Sequence, residues 1–519
     1  MGDNVNIKNR IVKNTLLLYT RTFISMIVSI YTSRVILNAL GEVNLGVYSV
    51  VGGIVGMMSF LNGALAGASS RYITFALGKN DAEELNQIFS ASLNLHIFLA
   101  IIIVILNETI GLWFLYNKLV IPPEQINAAF WVLQFSVVTA VMSIITVPYS
   151  ASLISHENMS IYAYMGLYDA FSKLTISWLI TAFGTKERLF FYALFLMASS
   201  IIPIIIYRIY AYRHYPECRW RKVKDKRIYK GLTSYSAWDM LGNISLVCQG
   251  SGISFLLNIF FGPVANTARV ISDQIQNAVT LFVGNFTTAS RPRVIKYCAE
   301  GNYQNMYRLT FVTSKISFFL VLILALPVMF ELKYILKLWL GDVVPPYTYS
   351  FTIIILITAL FQSFHTTYLM CFHAIGRIKT GNLICGTLRI LALPLSYIAL
   401  KLHAPAYSVF IIILIVNLTC HIISWYIVHG YIHFNVRNMI QTIYIPCVAV
   451  TILAIIAPTI ITTTFDSNFM RFIIVVISTE LILLPAIYFI GFNKHDRDST
   501  INPMFKRVVT KIFHNKHKS

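Results

Sequence analysis

Charged residues are scarce in this sequence, and acidic ones are the scarcest. Of 519 residues only 12% are Asp, Glu, Lys or Arg, with 21 acidic against 41 basic side chains. Hydrophobic residues make up 57% and the mean hydropathy is +0.68. Soluble proteins average about 25% charged residues. So little charge excludes an ordinary soluble domain and predicts a polytopic membrane protein.

Motifs of enzyme and metal sites are also missing. The seven cysteines include no CxxC pair and lie mostly in apolar segments, which argues against a disulfide framework or a metal cluster. No GxxxxGK[ST], GxSxG or HExxH motif occurs, which argues against P-loop ATPases, serine hydrolases and zinc proteases of those classes. We therefore predict no catalytic residue and no metal ligand.

Apolar stretches that approach or exceed the roughly 20 residues of a membrane-spanning helix recur along the whole chain. We predict about fourteen spans, at 12–39, 44–77, 86–110, 126–154, 159–183, 188–213, 231–261, 263–289, 304–330, 347–372, 380–402, 405–430, 439–464 and 467–492. The segments between them are short. The predicted fold class is an all-α polytopic membrane protein.

The first half of the chain is echoed in the second half. Matching residues recur in the same order at an offset of about 220, including Gly41 and Gly262, Gly63 and Gly284, Leu112-Trp113 and Leu338-Trp339, and Ile154 and Ile375. Each copy holds six spans, an even number, so both copies enter the membrane in the same direction. The pattern predicts two six-helix lobes related by a parallel repeat, followed by two C-terminal helices.

The distribution of basic residues predicts the orientation. With both termini in the cytoplasm, 28 Lys and Arg residues lie on the cytoplasmic side and six on the other side. This topology explains the net charge of +20 and argues against nucleic acid as a partner. The predicted parts are an N-lobe (1–213), a basic cytoplasmic linker (214–230), a C-lobe (231–434), two C-terminal spans (435–492) and a basic amphipathic cytoplasmic tail (493–519).

Polar side chains inside the spans are the candidate functional residues, because a charge costs roughly 2.5–3.5 kcal/mol at a helix centre. In the eighth span they are spaced three and four apart on one face: Asn266, Arg269, Asp273, Gln276 and Thr280. This stripe predicts a cavity wall, with hydrogen bonding between helices of one lobe as the alternative. Arg269 and Asp273, at i and i+4, are expected to neutralise each other.

Other spans add further charges. Asp169 and Lys173 form an i,i+4 pair in the fifth span, Asp239 lies in the seventh, and Arg389 lies in the eleventh. Arg34 is about 9 Å from the outer end of its helix at 1.5 Å per residue, so snorkelling to the surface is an alternative role.

Two further features of the spans are interpreted as structural. Arg471 lies near a helix end and is expected to snorkel. Gly52-x3-Gly56 and Gly63-x3-Gly67 are expected to let another helix approach closely.

Several short motifs accompany this layout: Ser33-Arg34 before Leu40-Gly41, Val51-Gly52-Gly53, Phe60-Leu61-Asn62, Ser70-Arg71-Tyr72 before Gly78, and Ala374-Ile375-Gly376-Arg377. With them, nearly the whole chain resembles the multidrug/oligosaccharidyl-lipid/polysaccharide (MOP) exporters, whose MATE members share the layout. Within that superfamily it resembles the Wzx-type flippases of bacterial O-antigen and capsular polysaccharide.

The resemblance implies translocation of an undecaprenyl-diphosphate-linked oligosaccharide across the bacterial inner membrane by alternating access. It implies coupling to H⁺ or Na⁺ and no other cofactor. The implied substrate contacts are Arg34, Lys173, Arg269, Gln276 and Arg389, and the implied ion-coupling residues are Asp169, Asp239 and Asp273. The expected partners are the lipid-linked oligosaccharide, membrane lipid and polysaccharide polymerase or assembly proteins, with the chain itself a monomer.

Two other functions stay open. A MATE-like drug/cation antiporter is disfavoured by the excess of intramembrane cations, because a cationic drug calls for net acid. A membrane-embedded polysaccharide polymerase or glycosyltransferase is disfavoured by the lack of a long extramembrane segment.

Overall fold

The computed structural model describes residues 2–57, 59–79, 81–156, 158–185, 187–223, 225–341, 343–375, 378–432, 434–498 and 502. Side chains are described from Phe23 onward, with further gaps inside several helices. Every regular element in these ranges is helical. The predicted amphipathic helix of the tail, beyond Asn502, lies outside the described residues.

The helices follow one another along the chain. They are α1 (Gly2–Met57), α2 (Ser59–Lys79), α3 (Ala82–Leu106), α4 (Leu112–Asn117), α5 (Ile126–Ser155), α6 (Met159–Leu179), α7 (Arg188–His214), α8 (Lys226–Val247), α9 (Ile253–Phe261), α10 (Pro263–Ala299), α11 (Tyr303–Phe330), α12 (Leu332–Leu340), α13 (Thr348–Ile375), α14 (Ile378–Lys401), α15 (Ser408–Ile432), α16 (Val436–Met439), α17 (Ile445–Thr464), α18 (Phe469–Ala486) and α19 (Lys494–Asp496). Short π-helical segments follow α3, α8, α16 and α18: Asn107–Gly111, Cys248–Gly252, Ile440–Tyr444 and Ile487–Gly491.

Within the described residues, eleven helical segments are long and apolar enough to cross a membrane. The predicted second, fifth and eighth spans fall largely on α2, α6 and α10, which are not among these eleven. The helices α6 and α10 carry the charged residues predicted as functional, and those charges lower their apolar character. The fold is therefore polytopic, and the predicted number of fourteen spans is approximate.

Matching residues of the predicted repeat adopt matching local structure. Gly41 (φ 77°, ψ 168°) kinks α1, and Gly262 (φ 77°, ψ −176°) ends α9. This backbone conformation is essentially restricted to glycine, which explains why both copies place glycine there. A short helix also follows the long third helix of each copy: α4 follows α3, and α12 follows α11. These correspondences support the internal duplication.

The chain forms two compact units. Unit 1 comprises residues 1–274, 342–351 and 382–412, and unit 2 comprises residues 275–341, 352–381 and 413–519. In unit 1, α1, α5 and α7 bury Val50, Val132 and Leu189 completely. These units are defined by proximity in space and do not follow the predicted lobe boundaries, which stay a prediction.

The core of unit 2 includes residues of α11, α17 and α18. The side chains of Leu322, Val450 and Leu483 are fully buried there.

The predicted linker at 214–230 packs on α3 within unit 1. Asn86 Nδ2 donates to the backbone oxygen of Glu217 at 2.9 Å, and Trp220 Nε1 donates to Asn94 Oδ1 at 2.9 Å. The first of these contacts satisfies the buried amide of Asn86. The segment is therefore a docked part of unit 1.

Candidate intramembrane site

The guanidinium of Arg269 is held by three groups of unit 1. Its Nη1 donates to the backbone oxygen of Gly250 at 2.7 Å and to Ser254 Oγ at 2.9 Å. Its Nε donates to Asp273 Oδ2 at 3.3 Å. Gly250 lies in the π-helical segment after α8, and such segments have an irregular backbone hydrogen-bond ladder that admits side-chain donors. Arg269 therefore fastens α10 to the π-helical segment.

The partner carboxylate of Arg269 is more accessible than Arg269 itself. The Asp273 side chain is 43% exposed, against 11% for Arg269. The predicted i,i+4 pair forms, but its two members have different surroundings. Asp273 is the more accessible member of the pair, whereas Arg269 is held in place by its three acceptors.

The polar stripe of α10 changes character along the helix. Asn266 is fully buried, and neither polar atom of its amide has a hydrogen-bond partner in the described chain. In unit 2, Gln276 is half-buried, and Thr280 Oγ1 donates to its backbone oxygen at 2.9 Å. Arg269 therefore follows the predicted alternative of hydrogen bonding between helices. The side chain of Asp273, in contrast, is 43% exposed.

The α6 helix carries the second predicted pair. Lys173 Nζ lies 2.7 Å from Asp169 Oδ2, and the two side chains are 48% and 59% exposed. Both lie about 200° around the helix from Phe171, a half-exposed aromatic side chain that suits lipid. Ser177, one turn after Lys173 on the same face, is fully buried. The pair therefore faces away from the lipid-like surface of its helix.

Arg389 on α14 differs from these paired cations. It is half-buried, and its buried Nε has no hydrogen-bond partner among the described residues. An unpaired donor on a charged group is costly in an apolar environment. No hydrogen bond among the described residues links Arg389 to either charged pair. An anionic acceptor would satisfy it.

Arg34 on α1 is exposed, and its neighbour makes a contact that the sequence did not predict. Ser33 Oγ donates to Gln274 Oε1 at 2.5 Å, and Gln274 Nε2 donates to the backbone oxygen of Ser29 at 2.9 Å. Gln274 thereby fixes α10 to α1 beside Arg34. The side chain of Asp239, the remaining predicted ion-coupling residue, lies outside the described residues.

Two other intramembrane cations are engaged in buried ion pairs of unit 2. Lys315 Nζ lies 2.7 Å from Asp496 Oδ2, and these side chains are 1% and 4% exposed. Arg471 binds Glu331 through Nε to Oε1 at 2.8 Å and through Nη2 to Oε2 at 3.0 Å. Arg471, for which snorkelling is a prediction, has a fully buried carboxylate partner 140 residues away in the sequence.

A cavity of about 370 Å³ lies inside unit 1, between α1, α2, α3, α5 and α7. Its polar wall includes Tyr48, Asn62, Ser136, Thr139 and Ser143, and none of the described residues that line it is charged. This cavity was not predicted from the sequence. The spacing of three and four between the α5 hydroxyl residues was the available signal, but serine and threonine also occur in ordinary spans, where their hydroxyls bond the preceding turn.

The cavity corrects one expectation about glycine. Gly52 lines the cavity, and a Cβ added there would meet no atom within 4 Å. The prediction that another helix approaches closely is therefore wrong at Gly52. At Gly56 a Cβ would lie 3.3 Å from Ser251 Oγ, so the expected close approach holds there. Gly63 and Gly67 lie where the structure describes the backbone alone.

No protein-family model matches this chain, and no curated protein matches it. Solved structures do match. An inward-facing multidrug resistance transporter of the MATE family, in the MOP superfamily, gives a TM-score of 0.68 at 14% identity, covering 81% of this chain and 98% of that one. Lipid II flippase MurJ in an inward closed conformation gives 0.66 at 16% identity, covering 91% and 98%.

A MOP superfamily transporter from Pyrococcus furiosus, described as having a binding pocket of reversed polarity, gives 0.53 at 15% identity, covering 80% and 96%. The chain shares its fold with these solved structures. Identities this low show the fold alone. The predicted fold class, an all-α polytopic membrane protein of the MATE type, is confirmed. These neighbours are transporters and a flippase, not enzymes.

Proposed function

We propose that the chain moves an undecaprenyl-diphosphate-linked oligosaccharide, a repeat unit of O-antigen, capsule or exopolysaccharide, between the leaflets of the bacterial inner membrane. The fold, shared with a lipid II flippase, supports the proposal, as does the sequence resemblance to Wzx-type flippases. Cytoplasmic termini and the two predicted lobes are part of the same proposal.

The buried Nε of Arg389, which has no hydrogen-bond partner among the described residues, is the observation that carries the proposal. Four other intramembrane cations of the described chain each have a carboxylate partner: Lys173, Arg269, Lys315 and Arg471. A diphosphate supplies the acceptor oxygens that a guanidinium binds in a fork. A cationic drug would add charge of the same sign.

We assign the coupling of transport to an ion gradient to the two half-exposed carboxylates. Asp273 and Asp169 each lie beside a cation on their own helix and are accessible enough to take up H⁺ or Na⁺. Loading either one with a cation would weaken its attraction for the neighbouring basic side chain. Lys173 could then bind phosphate, whereas Arg269 stays held by Gly250 and Ser254. Substrate binding and ion binding are thereby linked through the Asp169–Lys173 pair.

The test replaces Arg389 in a bacterial host that lacks its own flippase and depends on this chain for surface polysaccharide. Arg389→Ala should reduce surface polysaccharide severely, and Arg389→Lys should restore part of it, because Lys keeps the charge but loses the fork. Arg213→Ala removes an exposed cation at the end of α7 and is the control, with no change expected.

Membrane levels of all variants are measured in parallel. Normal surface polysaccharide with Arg389→Ala would remove the observation on which the proposal rests. A gain of cationic-dye efflux in the same variant would favour the antiporter instead.

A further inference from the structure

We infer that the uncharged cavity of unit 1 binds a neutral sugar ring of the lipid-linked substrate. The inference rests on the proposed function and adds a second binding site to it, separate from Arg389 and the charged pairs. The cavity volume of about 370 Å³ lies at the small end of the roughly 300–1,000 Å³ range of ligand pockets.

The lining of the cavity excludes charged ligands. Its polar groups are an amide, a phenol and three aliphatic hydroxyls, from Asn62, Tyr48, Ser136, Thr139 and Ser143. A phosphate or a cation would lose its hydration there without gaining an opposite charge, which is costly in a membrane interior. A neutral sugar needs no counter-charge, because its hydroxyls both donate and accept hydrogen bonds.

One polar atom of the lining is buried and unsatisfied. Asn62 Oδ1 has no hydrogen-bond partner in the described chain. Thr139 Oγ1 donates to the backbone oxygen of Phe135 at 2.9 Å, which leaves its oxygen lone pairs able to accept. A hydroxyl-bearing ligand satisfies both groups at once.

The rest of the lining is suited to the apolar faces of a pyranose. It is largely apolar and includes Val55, Ile103, Ile144, Leu196 and Met197. A sugar ring presents C–H groups on its faces and hydroxyls at its edge. Pockets that combine an apolar wall with a few placed polar groups orient such ligands.

Gly52 and Gly53 provide a matched pair of variants. A Cβ at either glycine would meet no atom within 4 Å, so neither substitution disturbs packing at that atom. Only Gly52 lines the cavity. Gly52→Leu should therefore fill the cavity, whereas Gly53→Leu, on the same helix, is the control.

The experiment measures binding to the purified full-length chain of two lipids, undecaprenyl diphosphate and undecaprenyl diphosphate N-acetylglucosamine. Wild-type protein and Gly53→Leu should bind the sugar-bearing lipid about tenfold more tightly, or 1.4 kcal/mol. Gly52→Leu should bind both lipids equally, at the affinity of the lipid without sugar. Thr139→Val should reduce the sugar preference about fivefold, as expected for one neutral hydrogen bond. The melting temperatures of all variants are compared to confirm folding.

Two results would overturn the inference while leaving the proposed function standing. In one, Gly52→Leu keeps the full sugar preference, so the cavity holds only water. In the other, wild-type protein binds both lipids equally. Failure of the wild-type protein to bind either lipid would instead overturn the proposed function and this inference together.

Discussion

The Arg269–Asp273 pair predicts unequal effects for its two members. Arg269→Ala removes hydrogen bonds to Gly250 and Ser254 and leaves a carboxylate without its partner. Hydrogen bonds made by a charged group contribute about 1.5–3 kcal/mol each, and Arg269 makes two such bonds besides the one to Asp273. We expect Arg269→Ala to destabilise the protein by that order and to lower its amount in the membrane.

Asp273→Asn should cost much less. It removes one contact of 3.3 Å to a carboxylate that is 43% exposed, and Arg269 keeps its two other acceptors. Exposed ion pairs contribute roughly 0.2–1 kcal/mol, because solvent screens them. We therefore expect near-normal stability together with the loss of ion-driven transport.

Both quantities are measured on the same preparations. Thermal unfolding of the detergent-solubilised variants gives the stability difference, and transport with and without ionophore gives the coupling. Asp169→Asn is measured alongside Asp273→Asn, because Asp169 also has a cation partner on its own helix and belongs to the more exposed pair. Equal destabilisation by Arg269→Ala and Asp273→Asn would refute the conclusion that Arg269 is held in place by its other acceptors as well. Ion-driven transport by Asp273→Asn at the wild-type rate would remove Asp273 from coupling.

Three further predictions follow from other parts of the fold. Lys315→Ala should destabilise the protein by about 3–5 kcal/mol, and Lys315→Met with Asp496→Leu should recover most of this; failure to recover would contradict a purely structural pair. A cysteine at exposed Lys222 should react with a membrane-impermeant maleimide only from the cytoplasm, and one at Asn117 only from the periplasm; the reverse result would invert the topology. Burial raises the pKa of Cys218 to about 12, so this thiol stays neutral at neutral pH and should label slowly until the pH approaches that value. Rapid labelling of Cys218 at pH 7 would show that the docked linker opens.

Local patterns in the sequence were sufficient to predict the fold class and the contacts between residues of the same helix. The duplication placed glycine at 41 and 262, and both adopt the same backbone conformation. The spacing of four residues placed Arg269 beside Asp273 and Asp169 beside Lys173. These relations depend on helix geometry alone, which a single sequence specifies.

Contacts between distant segments were not predictable in the same way. Lys315 and Asp496 are 181 residues apart, and Arg471 and Glu331 are 140 apart. Their pairing depends on how helices pack, and no periodicity encodes it. The π-helical segment that binds Arg269 was not predicted either, because the two glycines of Cys248–Gly252 indicate a weak helical turn without specifying its π-helical hydrogen bonds.

The central claim is that this chain translocates a lipid-linked oligosaccharide. The most direct measurement reconstitutes the purified protein in liposomes whose inner leaflet carries an undecaprenyl-diphosphate-linked oligosaccharide. Arrival of the sugar at the outer leaflet is followed with an impermeant lectin. The account predicts arrival that depends on an ion gradient and is lost with Arg389→Ala. Arrival no faster than in protein-free liposomes, with cationic-dye transport by the same preparation, would contradict it.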